Sequence, residues 1–152
     1  MKLDFLKDRY PQFQIDVFSK DEDEWAVIHH PETDAEIRIY YTLNDFQPFI
    51  FRFEYQHIHI DTENELLDRI NEYISGRVAA IEFFKGEQQG FGGNIETKII
   101  TNRDYDALSK RFGYSYNILK DYRFVLNAWD TTVNCSGHFE KDSNGKAMMI
   151  LD

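Results

Sequence analysis

The segment from Phe49 to Gly76 constrains the fold most, because it joins a long alternating pattern to a well-marked helix. Aromatic residues occupy every second position from Phe49 to Tyr55, and such alternation predicts a β-strand with one buried face. We expect one long strand over Phe49–Ile60. Because its first half is apolar on both faces, we expect this strand to lie centrally in its sheet.

The helix that follows is marked at both ends. Thr62 and Glu65 have the spacing of a capping box, in which the hydroxyl and the carboxylate each satisfy a free backbone N–H group. Gly76 supplies the stop signal at the other end. The residues predicted to form the buried stripe of the helix are Leu66, Leu67, Ile70, Tyr73 and Ile74. The sequence therefore predicts an amphipathic helix with an acidic outer surface.

The remaining elements come as runs of strands rather than as a strict alternation of strands and helices. Strands are predicted at Gln12–Phe18, Trp25–His30, Ala35–Thr42, Arg77–Lys85 and Tyr122–Ala128, with a hairpin of Thr132–Lys141 and Lys146–Leu151 around Asn144-Gly145. Short helices are predicted at Lys2–Tyr10 and at Tyr105–Phe112, the latter capped by Thr101 or Asn102, and loops at Asp21–Glu24, Asn44–Pro48 and Gly86–Gly93. This pattern predicts a single α+β domain over residues 1–152, with a mostly antiparallel sheet and two to three helices packed on it.

Length and composition set further bounds. A chain of 152 residues suits one domain, and its 13 Phe and 9 Tyr supply ample core material. The single Cys135 excludes an internal disulfide and fits a reducing compartment. The sequence has no signal-peptide pattern and no apolar run long enough to span a membrane, so we expect a cytoplasmic protein.

Charge is distributed unevenly. The formal net charge is −10, and residues 1–76 hold 7 Lys and Arg against 17 Asp and Glu, which accounts for the whole excess. A nucleic-acid partner is therefore disfavoured, because phosphates would be repelled. A basic protein partner is favoured, because complementary electric fields speed encounter.

His57, His59 and Asp61 are the residues best suited to hold a metal ion. Period-two spacing places both imidazoles on one face of a strand, and two histidines with a carboxylate can hold a divalent ion. The spacing fits neither of two known His-x-His enzyme patterns. The chain is too short for the barrel amidohydrolases, and Phe51 stands where cupins need glycine. A structural role for the two histidines at a strand end remains the simpler interpretation.

Other candidate motifs lack an essential part. Cys135-Ser136-Gly137-His138 includes a thiol, but nothing in the sequence supplies the electropositive setting that a catalytic thiol needs. Gly86–Gly93 has neither the lysine nor the spacing of a phosphate-binding loop. His29 and His30 are neighbours, so their side chains point to opposite faces of a strand.

One segment resembles a family of known function. The run from Glu54 to Gly86 is similar to small bacterial immunity proteins of toxin–immunity (polymorphic toxin) systems, in which an aromatic strand ends in a His-x-His-acid segment. An acidic helix and an apolar strand ending in Lys-Gly follow. The resemblance implies a non-enzymatic cytoplasmic protein that binds and blocks a cognate toxin, and it leaves the fold open.

We therefore expect an immunity protein without a cofactor or catalytic residues that covers a basic site of a toxin. The residues predicted to bind this partner are Asp21, Glu22, Asp23, Glu24, Glu63, Glu65, Asp68 and Glu72. Two alternatives remain. One is a metal-binding domain or metal-dependent enzyme that uses His57, His59 and Asp61. The other is a module that binds a small apolar ligand among the aromatic strands.

Overall fold

The computed structural model describes residues 1–43 and 45–152, which form ten strands and five α-helices. The strands are β1 (Ile15–Lys20), β2 (Asp23–His29), β3 (Glu36–Thr42), β4 (Phe49–Phe53), β5 (Gln56–Ile60), β6 (Val78–Lys85), β7 (Gln88–Glu96), β8 (Arg123–Asn127), β9 (Cys135–Lys141) and β10 (Ala147–Leu151). The helices are α1 (Phe5–Arg9), α2 (Glu63–Ile74), α3 (Thr97–Thr101), α4 (Tyr105–Phe112) and α5 (Tyr116–Leu119). Short 3₁₀ helices lie at Lys2–Asp4 and Thr131–Val133.

Each pairing described between these strands is antiparallel, which confirms the predicted α+β class. The strands form two sheets of five rather than one, in the orders β1-β2-β3-β4-β5 and β10-β9-β8-β6-β7. By its packing the chain divides into two compact units, Met1–Glu72 and Tyr73–Asp152. The single domain expected from the length stays a prediction. None of the helices in residues 1–43 and 45–152 combines the length and the hydrophobicity that a membrane span needs.

The first unit contains a meander, in which every strand pairs with the next strand in the sequence. We call the buried side of this sheet the inner face. Its buried residues include Ile15, Ile28, Ile37, Ile39, Phe49, Phe51, Phe53 and Ile60. Alternation along each strand places these residues on one side of the sheet. Asn44, where the predicted Asn44–Pro48 loop begins, lies outside the described residues.

The prediction of a single strand over Phe49–Ile60 is wrong. The chain reverses at Glu54 and Tyr55, so that β4 and β5 form a hairpin in which Phe53 pairs with Gln56. Glu54 adopts a left-handed backbone with φ of 51°, a conformation that is uncommon outside glycine, asparagine and aspartate. Because Glu54-Tyr55 lacks the usual turn residues, the sequence pattern conceals the reversal. The predicted central position is also wrong for β5, which is an edge strand.

The acidic run Asp21–Glu24 is only partly a loop. Asp21 and Glu22 form the turn between β1 and β2, while Asp23 and Glu24 begin β2 and pair with Lys20 and Ser19. Charged residues can extend an edge hairpin because their side chains remain in water while the backbone pairs. The repulsion used to predict a loop therefore acts only at the two-residue turn.

Helix α2 follows the prediction closely. The backbone N–H of Glu65 donates to Oγ1 of Thr62 over 3.2 Å, which is the hydrogen bond expected of the cap. Leu66, Ile70 and Tyr73 are fully buried. Gly76 has φ of +78°, in the left-handed region that glycine adopts without steric cost.

The second unit is built on an aromatic core. Its buried cluster lies on one face of the second sheet and among the short helices, and it comprises Ala79, Ile81, Phe83, Ile95, Ile100, Leu108, Leu119, Phe124, Leu126, Ala128, Phe139 and Met149. The predicted hairpin around Asn144-Gly145 is confirmed by the pairing of β9 with β10. The cap predicted for α4 is wrong, because the Asp104 carboxylate accepts the hydrogen bond from the N–H of Ala107.

The glycine-rich segment Gly86–Gly93 is not a loop throughout. Only Gly86 and Glu87 form the turn, and the remaining residues belong to β7. A Cβ atom on Gly92 would lie 2.5 Å from the Glu82 carboxylate, and one on Gly90 would lie 2.7 Å from the Tyr122 ring. The glycines are therefore needed for close packing in a strand, which also explains why no phosphate cradle forms.

Candidate functional site

The acidic residues predicted to bind a partner fall into two separate groups in the first unit. Asp21, Glu22 and Asp23 are exposed at the β1–β2 hairpin. Glu24 is half-buried, and its Oε2 accepts a hydrogen bond of 3.0 Å from the backbone N–H of Lys2. Strand β2 lies three strands away from β5, or about 14 Å at the usual strand spacing. This group is therefore distant from the edge of the sheet that α2 flanks.

The second group lies on α2. Glu63, Glu65 and Asp68 are exposed, whereas Glu72 is half-buried and forms an ion pair of 3.1 Å with Arg69. A cleft of about 270 Å³ separates α2 from β5. Its lining residues are Ile58, His59, Ile60, Glu65, Asp68, Arg69 and Glu72. The structure thus gathers three of the predicted carboxylates along one wall of a cleft.

The proposed metal ligands are only partly brought together. His57 and His59 are both exposed on β5, and their ring centroids lie 5.6 Å apart with the planes nearly perpendicular. In the part of the chain that the structure describes, no three His, Cys, Asp or Glu side chains are grouped so that they could hold a metal ion. Asp61 therefore does not complete a site with the two histidines here, and the metal-binding alternative stays a prediction.

The β4–β5 turn places both histidines on a surface that the sequence analysis missed. We call the side of the first sheet opposite the inner face the outer face. Two rows of paired residues cross it from β1 to β5. The aromatic row is Phe18, Trp25, Tyr40, Ile50 and His59, and the charged row is Asp16, Val27, Arg38, Arg52 and His57. These rows become visible in the sequence only when the turn at Glu54-Tyr55 is known.

The outer face is open along most of the aromatic row. Phe18 is 44% exposed and stacks on Trp25 with a centroid distance of 5.6 Å. At the other end lies a shallow hollow of about 440 Å³, which is lined by Tyr40, Ile50, Arg52, His57 and His59. The hollow has an apolar floor and a rim of nitrogen-bearing side chains.

The two arginines of the charged row differ in their contacts. Arg38 contacts the Glu36 carboxylate at 2.6 Å, and hydrogen bonds to Tyr40 and Glu36 raise the pKa of Arg38. Arg52 is exposed beside it and forms no ion pair within residues 1–43 and 45–152. Like charges on directly paired residues destabilise a sheet, so Arg52 retains a free guanidinium at a small cost in stability.

In the second unit, the polar residues around Cys135 do not form a nucleophilic site. Ser136 donates to the Asp152 carboxylate over 2.7 Å, and this bond together with Arg123 lowers the pKa of Asp152. The nearest contact of His138 with Asp152 is 3.7 Å. Burial and, to a lesser extent, the charge of Asp152 raise the pKa of Cys135, which disfavours its thiolate form. A catalytic nucleophile needs the opposite shift or a base in hydrogen-bond contact.

The candidate functional features of the first unit are therefore the acidic cleft beside α2 and the open outer face with its aromatic and charged rows. Comparisons with protein-family models, curated proteins and solved structures found no match for the chain, so these surfaces are interpreted from their own chemistry.

Proposed function

We propose that this chain is a non-enzymatic cytoplasmic immunity protein that binds and neutralises a basic toxin. The observation that carries the proposal is the grouping of Glu65, Asp68 and Glu72 on one wall of the cleft between α2 and β5. Residues 1–72 hold 7 Lys and Arg against 17 Asp and Glu, so the surroundings of the cleft add to its negative potential. A basic surface of a toxin is the complementary partner.

The exposed carboxylates suit a partner that arrives by electrostatic steering. Glu63, Glu65 and Asp68 have no ion pair within the described part of the chain, so their charge acts on an approaching protein. Complementary fields raise association rates by one to three orders of magnitude, and salt screens this gain. A toxin that binds nucleic acid presents such a basic surface, which these carboxylates would cover.

The function is tested by co-expressing the chain with the protein encoded beside its gene. We expect the chain to restore growth of cells that produce the toxin and to form a complex with it. Growth arrest that continues at equal expression of the chain would overturn the proposal for that pair.

The surface is tested by charge reversal. We expect the triple variant Glu63→Lys, Glu65→Lys and Asp68→Lys to slow association at least about tenfold and to flatten its salt dependence. The control reverses three exposed carboxylates of the second unit, Glu87, Asp106 and Asp121, with the same change in net charge. Equal slowing by both variants would show that total charge acts and that the cleft is not the contact.

The hairpin group is tested in the same assay. The variant Asp21→Lys, Glu22→Lys and Asp23→Lys alters a surface about 14 Å from β5. If the toxin spans both groups, the two triple variants slow association by similar factors. If only the α2 variant does so, the contact is confined to the cleft.

A further inference from the structure

We infer that the outer face is a homodimer interface, in which a second copy of this chain packs face to face on the first sheet. This inference concerns the side of the sheet opposite the inner face and is independent of the proposed toxin. The proposal rests on the openness, the residue types and the charge balance of the outer face.

The outer face has the composition of an interface core. Trp25, Tyr40, Arg38 and Arg52 are of the three residue types that dominate binding energy in protein interfaces. The aromatic row extends over all five strands, and its residues are half-buried or exposed. When another apolar surface covers such a row and removes it from water, the free energy falls.

The charge of the outer face separates it from the rest of the unit. On its strands, the acids Asp16, Asp23 and Glu36 balance the bases Lys20, Arg38 and Arg52. Two further acids, Asp34 and Glu54, line a hollow with Arg38 and Arg52 at its margin. The unit that carries it has a formal charge of −10. A second copy also has a formal charge of −10, so it meets the least repulsion when the two outer faces, whose strand residues balance in charge, approach each other.

The rows are also self-complementary. Consider a two-fold axis that runs parallel to β3 and midway between two facing sheets. It places β1 of one copy over β5 of the other, as in aligned packing of two sheets. Tyr40 then lies opposite its own counterpart, and Trp25 lies opposite Ile50. In the charged row Asp16, whose carboxylate already contacts Nε2 of His29 at 2.8 Å within its own copy, lies opposite His57. The cost of this arrangement is that Arg38 faces its counterpart, and Glu36 partly offsets that cost within each copy.

The size of the outer face indicates which class of interface it could form. The five strands contain 6, 7, 7, 5 and 5 residues, and 30 residues that each cover about 4.8 by 3.4 Å give a plane of roughly 490 Å². The accessible area of rough side chains exceeds that of the plane and approaches the roughly 800 Å² per partner of a standard interface. Obligate dimers commonly bury more than this, so we expect a reversible dimer rather than an obligate one.

The first experiment measures the mass of the purified chain by analytical ultracentrifugation from about 1 µM to about 1 mM, a range that brackets a micromolar Kd. We expect the weight-average mass to rise from that of the monomer to that of the dimer. The variant Tyr40→Glu places two carboxylates opposite each other on the axis and should weaken dimerisation at least about 100-fold. The control Tyr55→Glu makes the same change at an exposed residue of the β4–β5 turn, outside both rows, and should dimerise as the parent does.

A monomeric parent throughout this range would overturn the inference, as would a Tyr40→Glu variant that is folded and dimerises normally. If Tyr40→Glu fails to fold, a second experiment decides. In a Cys135→Ser background, the variant Tyr40→Cys should be linked to its own copy by a short bismaleimide, because packed sheets lie about 10 Å apart. The control Tyr55→Cys should give little linked dimer. Equal linking of both variants would contradict a two-fold axis at Tyr40.

Discussion

The two sheets contain five antiparallel strands each and differ in how they are covered. The first sheet buries its inner face and leaves the aromatic row of its outer face half-open. In the second sheet, β6 is buried along nearly its whole length, so that even Ala80 and Glu82, on the face opposite Phe83, are 1–2% exposed. The formal charge is −10 for residues 1–72 and zero for residues 73–152. Both surfaces proposed for binding therefore lie in the half-covered, charged unit.

Aromatic residues serve different purposes in the two units. In the second unit, Phe83 contacts Phe91, Phe112, Phe124 and Phe139 at centroid distances of 4.4 to 6.4 Å. In the first unit, Phe18 contacts Trp25 and remains 44% exposed. The same residue type therefore supplies core packing in one sheet and free surface in the other.

Truncating these two phenylalanines should give the largest difference between the units. We expect Phe83→Ala to lower the free energy of unfolding by about 3 to 5 kcal/mol, because it leaves a cavity at the centre of the aromatic cluster. Phe18→Ala should lower it by about 1 kcal/mol, since it removes one exposed ring pair. Urea unfolding followed by circular dichroism measures both values. Equal losses would mean that the outer face is a packed core and would end the distinction between the sheets.

Adding a methyl group to β7 tests the covering of the second sheet. We expect Gly92→Ala to lower the free energy of unfolding by about 1 to 3 kcal/mol, because the new Cβ would meet the buried Glu82 carboxylate at 2.5 Å. The carboxylate cannot easily withdraw, because it accepts a hydrogen bond of 2.6 Å from Gln89.

Gly93→Ala is the matched control, in which the new Cβ would lie 3.1 Å from the edge of the Phe112 ring. Its cost should stay below about 1 kcal/mol, since that ring can shift by a few tenths of an ångström. Thermal unfolding of the two variants measures both losses of stability. A smaller loss for Gly92→Ala than for Gly93→Ala would show that Glu82 is free to move.

The helix caps of the two units should contribute equally to the free energy of unfolding. Thr62 caps α2 and Asp104 caps α4, each by accepting a hydrogen bond from a backbone N–H three residues ahead, at 3.2 and 3.1 Å. Replacing either by alanine should cost about 1 kcal/mol. The free energies of unfolding of Thr62→Ala and Asp104→Ala are compared with that of the parent chain. A difference well above 1 kcal/mol between them would show that the cap depends on its unit and not on local hydrogen bonding alone.

The smallest effect concerns the thiol of Cys135. Burial raises its pKa, so its contribution to stability is complete below the ordinary thiol pKa of about 8.5 and is lost as the pH rises above that value. Near pH 8.5 we expect iodoacetamide to modify the folded chain more slowly than the chain unfolded in urea. Equal rates would show that β9 gives the thiol no protection.

Local chemistry made several elements predictable from the sequence. The capping residues of α2, the stop at Gly76 and the hairpin at Asn144-Gly145 depend on hydrogen bonds and dihedral angles within a few residues. Their outcome is therefore nearly independent of the rest of the chain. The cap of α4 shows the limit, because three polar candidates, Thr101, Asn102 and Asp104, stand within four residues and only the fold selects one.

The candidate site was less predictable. The sequence indicated that the acidic residues lie at the surface, and it placed His57 and His59 on a common face. It could not indicate that three carboxylates of α2 share a cleft with β5, or that Arg52 pairs with His57. These facts depend on the reversal at Glu54-Tyr55, which no turn residue announces.

By itself the sequence determined the α+β class, most of the strands, the helix α2 and the unequal distribution of charge, because alternation, capping and charge are read within short windows. Only the tertiary structure decided the turn inside Phe49–Ile60, the glycine strand β7 and the division into two sheets. It alone aligned Phe18, Trp25 and Tyr40 across neighbouring strands. The physical reason is that the two-residue period of a strand is local, whereas its register and its covering depend on partners far away in the sequence.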